Sequence, residues 1–200
     1  MRILICATLA LFFLAPAHTL AQGSHMPVGE LTSQPIGHYE FCGTRVYAKE
    51  CGPRSVEEMI RYTPSLWVVM QAINDEVNYG IEPKSDQDLY GRPEVWAYPV
   101  VYGDCEDYVL LKRRLLLQRG FPASALLLTV VRRIDNGEEH MVLTVVTTDG
   151  DYILDNIVEM VRPWADTRED YLYLKRQAES DSGKWVTIVD PTTTATSSTR

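Results

Sequence analysis

The sequence predicts an α+β domain, with helices in its first half and an antiparallel sheet in its second. Apolar residues recur at three- and four-residue spacing through Leu66, Trp67, Met70, Ile73 and Val77, and again through Tyr108, Leu111, Leu115 and Leu116. After Gly120-Phe121-Pro122 the pattern shortens to that of strands, with turn signals at Asn136-Gly137 and Asp149-Gly150. Helices followed by a strand meander, rather than alternating strand and helix, mark the α+β class. No internal repeat is visible.

Taken in order, Met1 to Ala21 reads as a signal peptide. Arg2 provides a short basic start, Ile3 to Pro16 is apolar but too short to span a bilayer comfortably, and Thr19-Leu20-Ala21 ends in small residues suited to signal peptidase. Cleavage is expected after Ala21, with a retained N-terminal membrane anchor as the alternative. Gly23-Ser24-His25-Met26 reads as a cloning remnant or as native sequence, and is left out of the fold expectations. Residues 22–190 are expected to form one domain, and the Thr/Ser-rich 191–200 a disordered tail.

Within that domain, Gln22 to Gly52 reads as an extended arm. The spacing Ser55-Val56-Glu57-Glu58 predicts a capping box and a short helix. Ser65 is expected to cap a second helix that ends at Gly80. Ile81 to Pro99, broken by Pro83, Gly91 and Pro93, is a long loop ordered by Trp96 and Tyr98; leading into a reactive residue, it is expected to line the site. Asp104 is expected to cap the next helix, which Gly120 and Pro122 stop. Strands are expected at Ala125–Arg133, His140–Thr147, Tyr152–Val158 and Lys184–Val189, and a helix at Trp164–Gln177.

Charge and cysteines narrow the function. There are 19 basic and 27 acidic residues, a net charge of −8, and the leader removes only Arg2 from that balance. An acidic chain without a basic cluster argues against a nucleic-acid partner. Of the 4 cysteines, Cys6 lies in the leader. Cys42 and Cys51, close in sequence across Gly43 and before the Gly52-Pro53 turn, are expected to form a disulfide in an oxidising compartment, periplasmic or extracellular. Cys105 is then the free thiol.

Cys105 stands in Gly103-Asp104-Cys105-Glu106-Asp107-Tyr108, at what should be a helix N-terminus, where the macrodipole favours thiolate. The plainer reading is an inert buried cysteine, but core cysteines have apolar neighbours rather than three carboxylates. Downstream, His140 opens a strand and Asp155 closes the next. Imidazole can take and return a thiol proton, and a carboxylate can fix its tautomer. His140 as an ordinary strand residue is the alternative. A simple Asp149-Gly150 turn would leave His140 and Asp155 about 13 Å apart at ~3.3 Å per residue, so pairing them requires a wider or bulged turn. The acidic residues Asp104, Glu106 and Asp107 either complement the helix dipole or hold a hard cation such as Ca²⁺, with Asp86 and Asp88 as further oxygen donors. Three histidines outside the leader, scattered at 25, 38 and 140, do not suit a zinc cluster.

The string around Cys105, with Lys112-Arg113, Gly120-Phe121-Pro122, His140-Met141-Val142-Leu143 and Gly150 to Asn156, resembles the bacterial transglutaminase-like cysteine proteinases. Pro35-Ile36-Gly37-His38, Phe41-Cys42, Lys175-Arg176-Gln177 and Trp185 extend the resemblance over nearly the whole chain after the leader. It implies a papain-like, transglutaminase-like core with Cys105, His140 and Asp155 as a triad, and calcium dependence through Asp104 and Glu106. It further implies an exported endopeptidase that releases large surface adhesins, under control of an inner-membrane receptor for cyclic di-GMP. Two other readings stand beside it. One is acyl transfer or deamidation of glutamine by the same triad; the other is a catalytically idle binding module.

Overall fold

The structure, a computed structural model, describes residues 24–56 and 59–189. The elements run β1 (Val28–Thr32), α1 (Ile36–Gly43), α2 (Pro64–Gly80), β2 (Glu82–Pro83), α3 (Asp86–Tyr90), β3 (Tyr102–Gly103), α4 (Cys105–Gln118), β4 (Leu126–Arg133), β5 (Glu139–Thr147), β6 (Gly150–Leu154), β7 (Arg162–Pro163), β8 (Tyr171–Ala178) and β9 (Asp181–Ile188). Seven strands form one sheet in the order β1-β9-β8-β4-β5-β6-β7, and every neighbouring pair is antiparallel. The α+β expectation holds. No helix of the described residues is long and apolar enough to cross a membrane. The expected signal peptide and disordered tail fall outside the described residues.

Helices α2 and α4 cover one face of the sheet. Met70 and Ile73 of α2 and Val109, Leu110 and Leu116 of α4 pack on Leu126, Leu128, Leu143, Val145 and Leu154. The opposite face buries Val131, Val142, Ile153, Tyr171 and Tyr173 beneath Trp164 and Met26. Burying both faces explains why β4 and β5 read as near-continuous apolar runs.

Several expectations need correction. The arm is not simply extended: α1 occupies Ile36–Gly43, and its buried face is Gly37, His38 and Phe41, too poor in aliphatic residues to show as a period. A Cβ on Gly37 would stand 2.3 Å from the Trp96 indole, so only glycine lets α1 pack there. Helix α2 is capped by Thr63, whose hydroxyl accepts from Leu66 N–H, rather than by Ser65. The capping-box helix falls partly on Glu57 and Glu58, outside the described residues, and Ser55, Val56 and Met59 beside them are not helical. The helix expected at Trp164–Gln177 is one 3-10 turn, Trp164–Thr167, followed by β8. Tyr171-Leu172-Tyr173-Leu174 alternates with period two, and aromatic side chains fit a pleated surface better than a helix.

Ser24-His25-Met26 belongs to the fold. Met26 is buried, its N–H donates to Asp151, and Asp151 N–H donates to Ser24 O at 2.7 Å. The Cys42–Cys51 disulfide is present, with Cα atoms 5.7 Å apart, and Cys105 is free.

Candidate active site

Cys105 is the first residue of α4, half-buried, on the wall of a cavity of about 320 Å³. Pro35 and Ile36 from the arm, Trp96 from the loop and His140 and Met141 from β5 line the same cavity. The long loop therefore does line the site, and Trp96 anchors it in the core.

On the sheet side, His140 Nε2–H donates to Asp155 Oδ1 at 2.8 Å, both residues being buried. Asp155 Oδ1 also accepts from Ile157 N–H at 3.0 Å, and Oδ2 accepts from Tyr171 O–H at 2.5 Å. Burial alone would raise the Asp155 carboxyl, but the hydrogen bonds from His140, Ile157 and Tyr171 outweigh it and hold the group below its usual range. The strand register makes this contact possible without a bulge. Thr147 pairs with Gly150, so the two-residue turn is Thr148-Asp149, one residue earlier than expected. That shift brings Asp155 to a diagonal neighbour of His140, within side-chain reach. Gly150 has φ +132°, and a Cβ there would meet Ser24 O at 2.4 Å, so this residue must lie against the N-terminal segment rather than inside the turn.

The helix side is acidic. Asp104 occupies the N-cap position of α4 but makes no side-chain capping bond; its Oδ2 accepts from Asp86 N–H at 3.2 Å. Oxygens of Asp86, Asp104 and Glu106 all lie within 4.8 Å of one another. Asp86 Oδ1 and Asp104 Oδ1 are buried and without a partner among the described residues. Asp88 is not part of this group, because its carboxylate is held by Ser85 O–H at 2.9 Å. Asp107 turns toward the loop instead and accepts from Ala97 N–H at 2.8 Å. Burial, then the Asp104 charge, pushes Glu106 up to about 9. Burial likewise takes Asp107 up to about 8.

The Cys105 thiol donates to Glu106 Oε2 at 3.2 Å, so it is spent on a carboxylate and not on His140, although the two residues share the cavity. Burial and then Glu106 raise this thiol well above the usual range, and the dipole expectation of a ready thiolate is outweighed. Converging oxygens with unsatisfied lone pairs are the donor set of a hard cation, and three carboxylates suit Ca²⁺. The second cluster of ligating types, His38 with Cys42 and Cys51, is unavailable to a metal because both sulfurs are in the disulfide. Tyr171 is the functional residue hidden by the helix expected over residues 164–177; the period-two alternation of residues 171–174 is the signal that puts it on a strand, from which it reaches Asp155.

The sequence model of Peptidase_C93, described as bacterial transglutaminase-like cysteine proteinase BTLCP, matches residues 28–193. No curated protein sequence matches the chain. Among solved structures, calcium-bound Legionella pneumophila LapG is similar with a TM-score of 0.53 at 23% identity, over 65% of this chain and 74% of that one. The EGTA-treated form of the same protein gives 0.51 at 22% identity, over 64% and 70%.

Proposed function

Because the chain belongs to the bacterial transglutaminase-like cysteine proteinases, we propose that it cleaves a protein substrate with Cys105 as nucleophile, His140 as proton carrier and Asp155 as the group that orients the imidazole. The observation that carries this reading is the His140–Asp155 hydrogen bond opening on the cavity that holds Cys105. With Nε2–H given to Asp155, a neutral His140 keeps its lone pair on Nδ1, the form that can accept the thiol proton. The sulfur then adds to the substrate carbonyl, and the Cys105 backbone N–H, free at the helix start, is placed to stabilise the oxyanion. His140 returns the proton to the leaving amine. Water, deprotonated by the same imidazole, next cleaves the thioester and restores the thiol.

Asp86, Asp104 and Glu106 would hold the calcium ion that the fit of their oxygens supports, in line with the calcium-bound Legionella LapG. Bound there, the ion supplies positive charge that offsets the buried carboxylates. The thiol itself donates to Glu106, one of these three residues.

The leader and the disulfide support a periplasmic or secreted location. The family resemblance supports an adhesin-like surface protein as substrate and an inner-membrane cyclic di-GMP receptor as regulator. The test is incubation of the purified protein, with calcium or with chelator, against the surface proteins of its own organism. Mass spectrometry is expected to find new protein termini with calcium, and none with Cys105→Ala. Isopeptide cross-links or deamidated glutamines without new termini would overturn hydrolysis in favour of acyl transfer.

A further inference from the structure

Away from the catalytic cleft, a second cavity of about 230 Å³ lies where the disulfide arm meets α4 and the β8–β9 turn. Its walls include Glu50, Cys51, Arg54, Arg113, Leu117 and Ser182. Two guanidinium groups face this one small space. Arg54 is fastened to the β8–β9 turn: its Nε donates to Glu179 O and its Nη2 to Ala178 O, both at 2.8 Å. Its Nη1 is buried with no partner. Arg113, only 6% exposed, spends Nε on Leu126 O at 3.3 Å and makes no ion pair among the described residues.

Burying two like charges in one place is costly unless something negative compensates them. The nearby carboxylates, Glu50 on the cavity wall among them, offset these charges only in part, because each is shared with another cation. Glu50 is held by Arg114 at 3.1 Å and by Tyr98. Glu179 pairs with Arg176 at 3.1 Å, and Asp181 lies 3.8 Å from Lys184 and accepts from Gly183 N–H at 2.9 Å. The strain shows on the neighbours. Burial and then Arg113 and Arg54 push the adjacent His38 down to about 4, and burial with Arg113 takes Arg54 down to about 10.

We propose that this cavity is a binding site for a small oxyanion, held between the free guanidinium donors of Arg54 and Arg113. Guanidinium presents paired N–H groups that match the oxygens of phosphate, sulfate or a carboxylate. An occupant would tie together the arm at Cys51–Arg54, the middle of α4 and the β8–β9 turn. The site is independent of the proposed peptidase chemistry and can be tested without a substrate.

Thermal melting of the purified protein is measured without calcium, at constant ionic strength, while chloride is exchanged for inorganic phosphate, sulfate or acetate. A saturable rise in melting temperature is expected with at least one oxyanion and none with chloride alone. The anion that acts at the lowest concentration tells a tetrahedral ligand from a carboxylate. Arg54→Met and Arg113→Met should each weaken that anion at least about tenfold, since a charged hydrogen-bonding partner is lost. Should Arg113→Met fail to fold, calorimetric titration of the wild type against Arg54→Met decides, because Arg54 is the less buried of the two. No saturable response in the wild type overturns the site, and so does an unchanged response in Arg54→Met.

Discussion

On the sheet side of the cleft both oxygens of Asp155 have donors, whereas on the helix side Asp86, Asp104 and Asp107 each keep a buried oxygen with no partner among the described residues. The two sides carry the same chemical group in comparable burial, and the difference lies in where donors come from. Asp155 follows the last residue of β6, so the neighbouring strand offers His140, the chain just beyond offers Ile157 N–H and β8 offers Tyr171. The acidic residues sit at a helix start and in the loop before it, where the backbone N–H groups of residues 86, 95 and 97 reach one oxygen each and leave the other oxygens bare. The protein therefore finishes one half of its proposed machinery by itself and leaves the other half for a cation or for protons.

The largest expected effect lies on the finished side. Asp155→Asn puts an amide N–H against one of three donors and should lower kcat/KM by about 10²–10⁴-fold, whatever the calcium concentration. Full activity in that variant would remove Asp155 from the proposed triad. On the unfinished side, calcium should act through stability as well as rate. At about 100 times Kd the ion adds roughly 2.7 kcal/mol to folding, so a chelator should lower both the melting temperature and cleavage. In Asp86→Asn/Asp104→Asn both responses should vanish; if they persist, the ion binds elsewhere.

Lys112 is fully buried on α4, its ammonium without a hydrogen-bond partner among the described residues and within electrostatic range of Asp155 and Asp75. Burial pushes it down to about 7 from an ordinary 10.5. Between those values the unfolded chain binds the proton and the folded chain does not, so stability rises with pH, by up to about 1.4 kcal/mol per unit. Glu106 and Asp107, raised to about 9 and about 8, slope the other way over part of this range, so the two proteins are compared: from pH 7.5 to 9.5 the urea midpoint should change more favourably in the wild type than in Lys112→Met. Equal slopes would mean that Lys112 keeps its charge when folded.

The smallest effect is expected from Tyr171→Phe, which deletes one of the donors to Asp155 and leaves His140 in place. A net loss of about 1 kcal/mol corresponds to roughly a fivefold lower kcat/KM with KM little changed. A loss as large as that of Asp155→Asn would make Tyr171, rather than the carboxylate, the group that holds the imidazole.

What could be read in advance follows the range of each signal. Helices α2 and α4 and the β4–β5 hairpin were legible because their apolar spacing and turn residues are local. Helix α1 was not, since Gly37 and His38 on its buried face carry no aliphatic pattern, and its packing depends on Trp96 about sixty residues later in the chain. The segment of β8 carries two competing signals, a polar helix-like composition and the alternation of Tyr171 and Tyr173 with Leu172 and Leu174, and the strand period is the one the fold follows. Gly150 looks like a turn glycine, which sets the expected turn before β6 one residue later than the register has it. Its actual constraint is the backbone of Ser24 pressed against it.

The sequence by itself determined the α+β class, the family, the free thiol of Cys105 at a helix start, and His140 and Asp155 on successive strand segments. Each of these rests on neighbours within a few residues or on a recognisable string. Only the tertiary structure decided that His140 and Asp155 meet across a two-residue turn, that Tyr171 closes the far side of the carboxylate, and that Asp86 rather than Asp88 joins Asp104 and Glu106. It also decided that Arg54 and Arg113 share a cavity. The physical reason is the same in each case: a side chain's partner across the fold is set by strand register and helix packing, and a shift of one residue sends the group to another neighbour or to the other face.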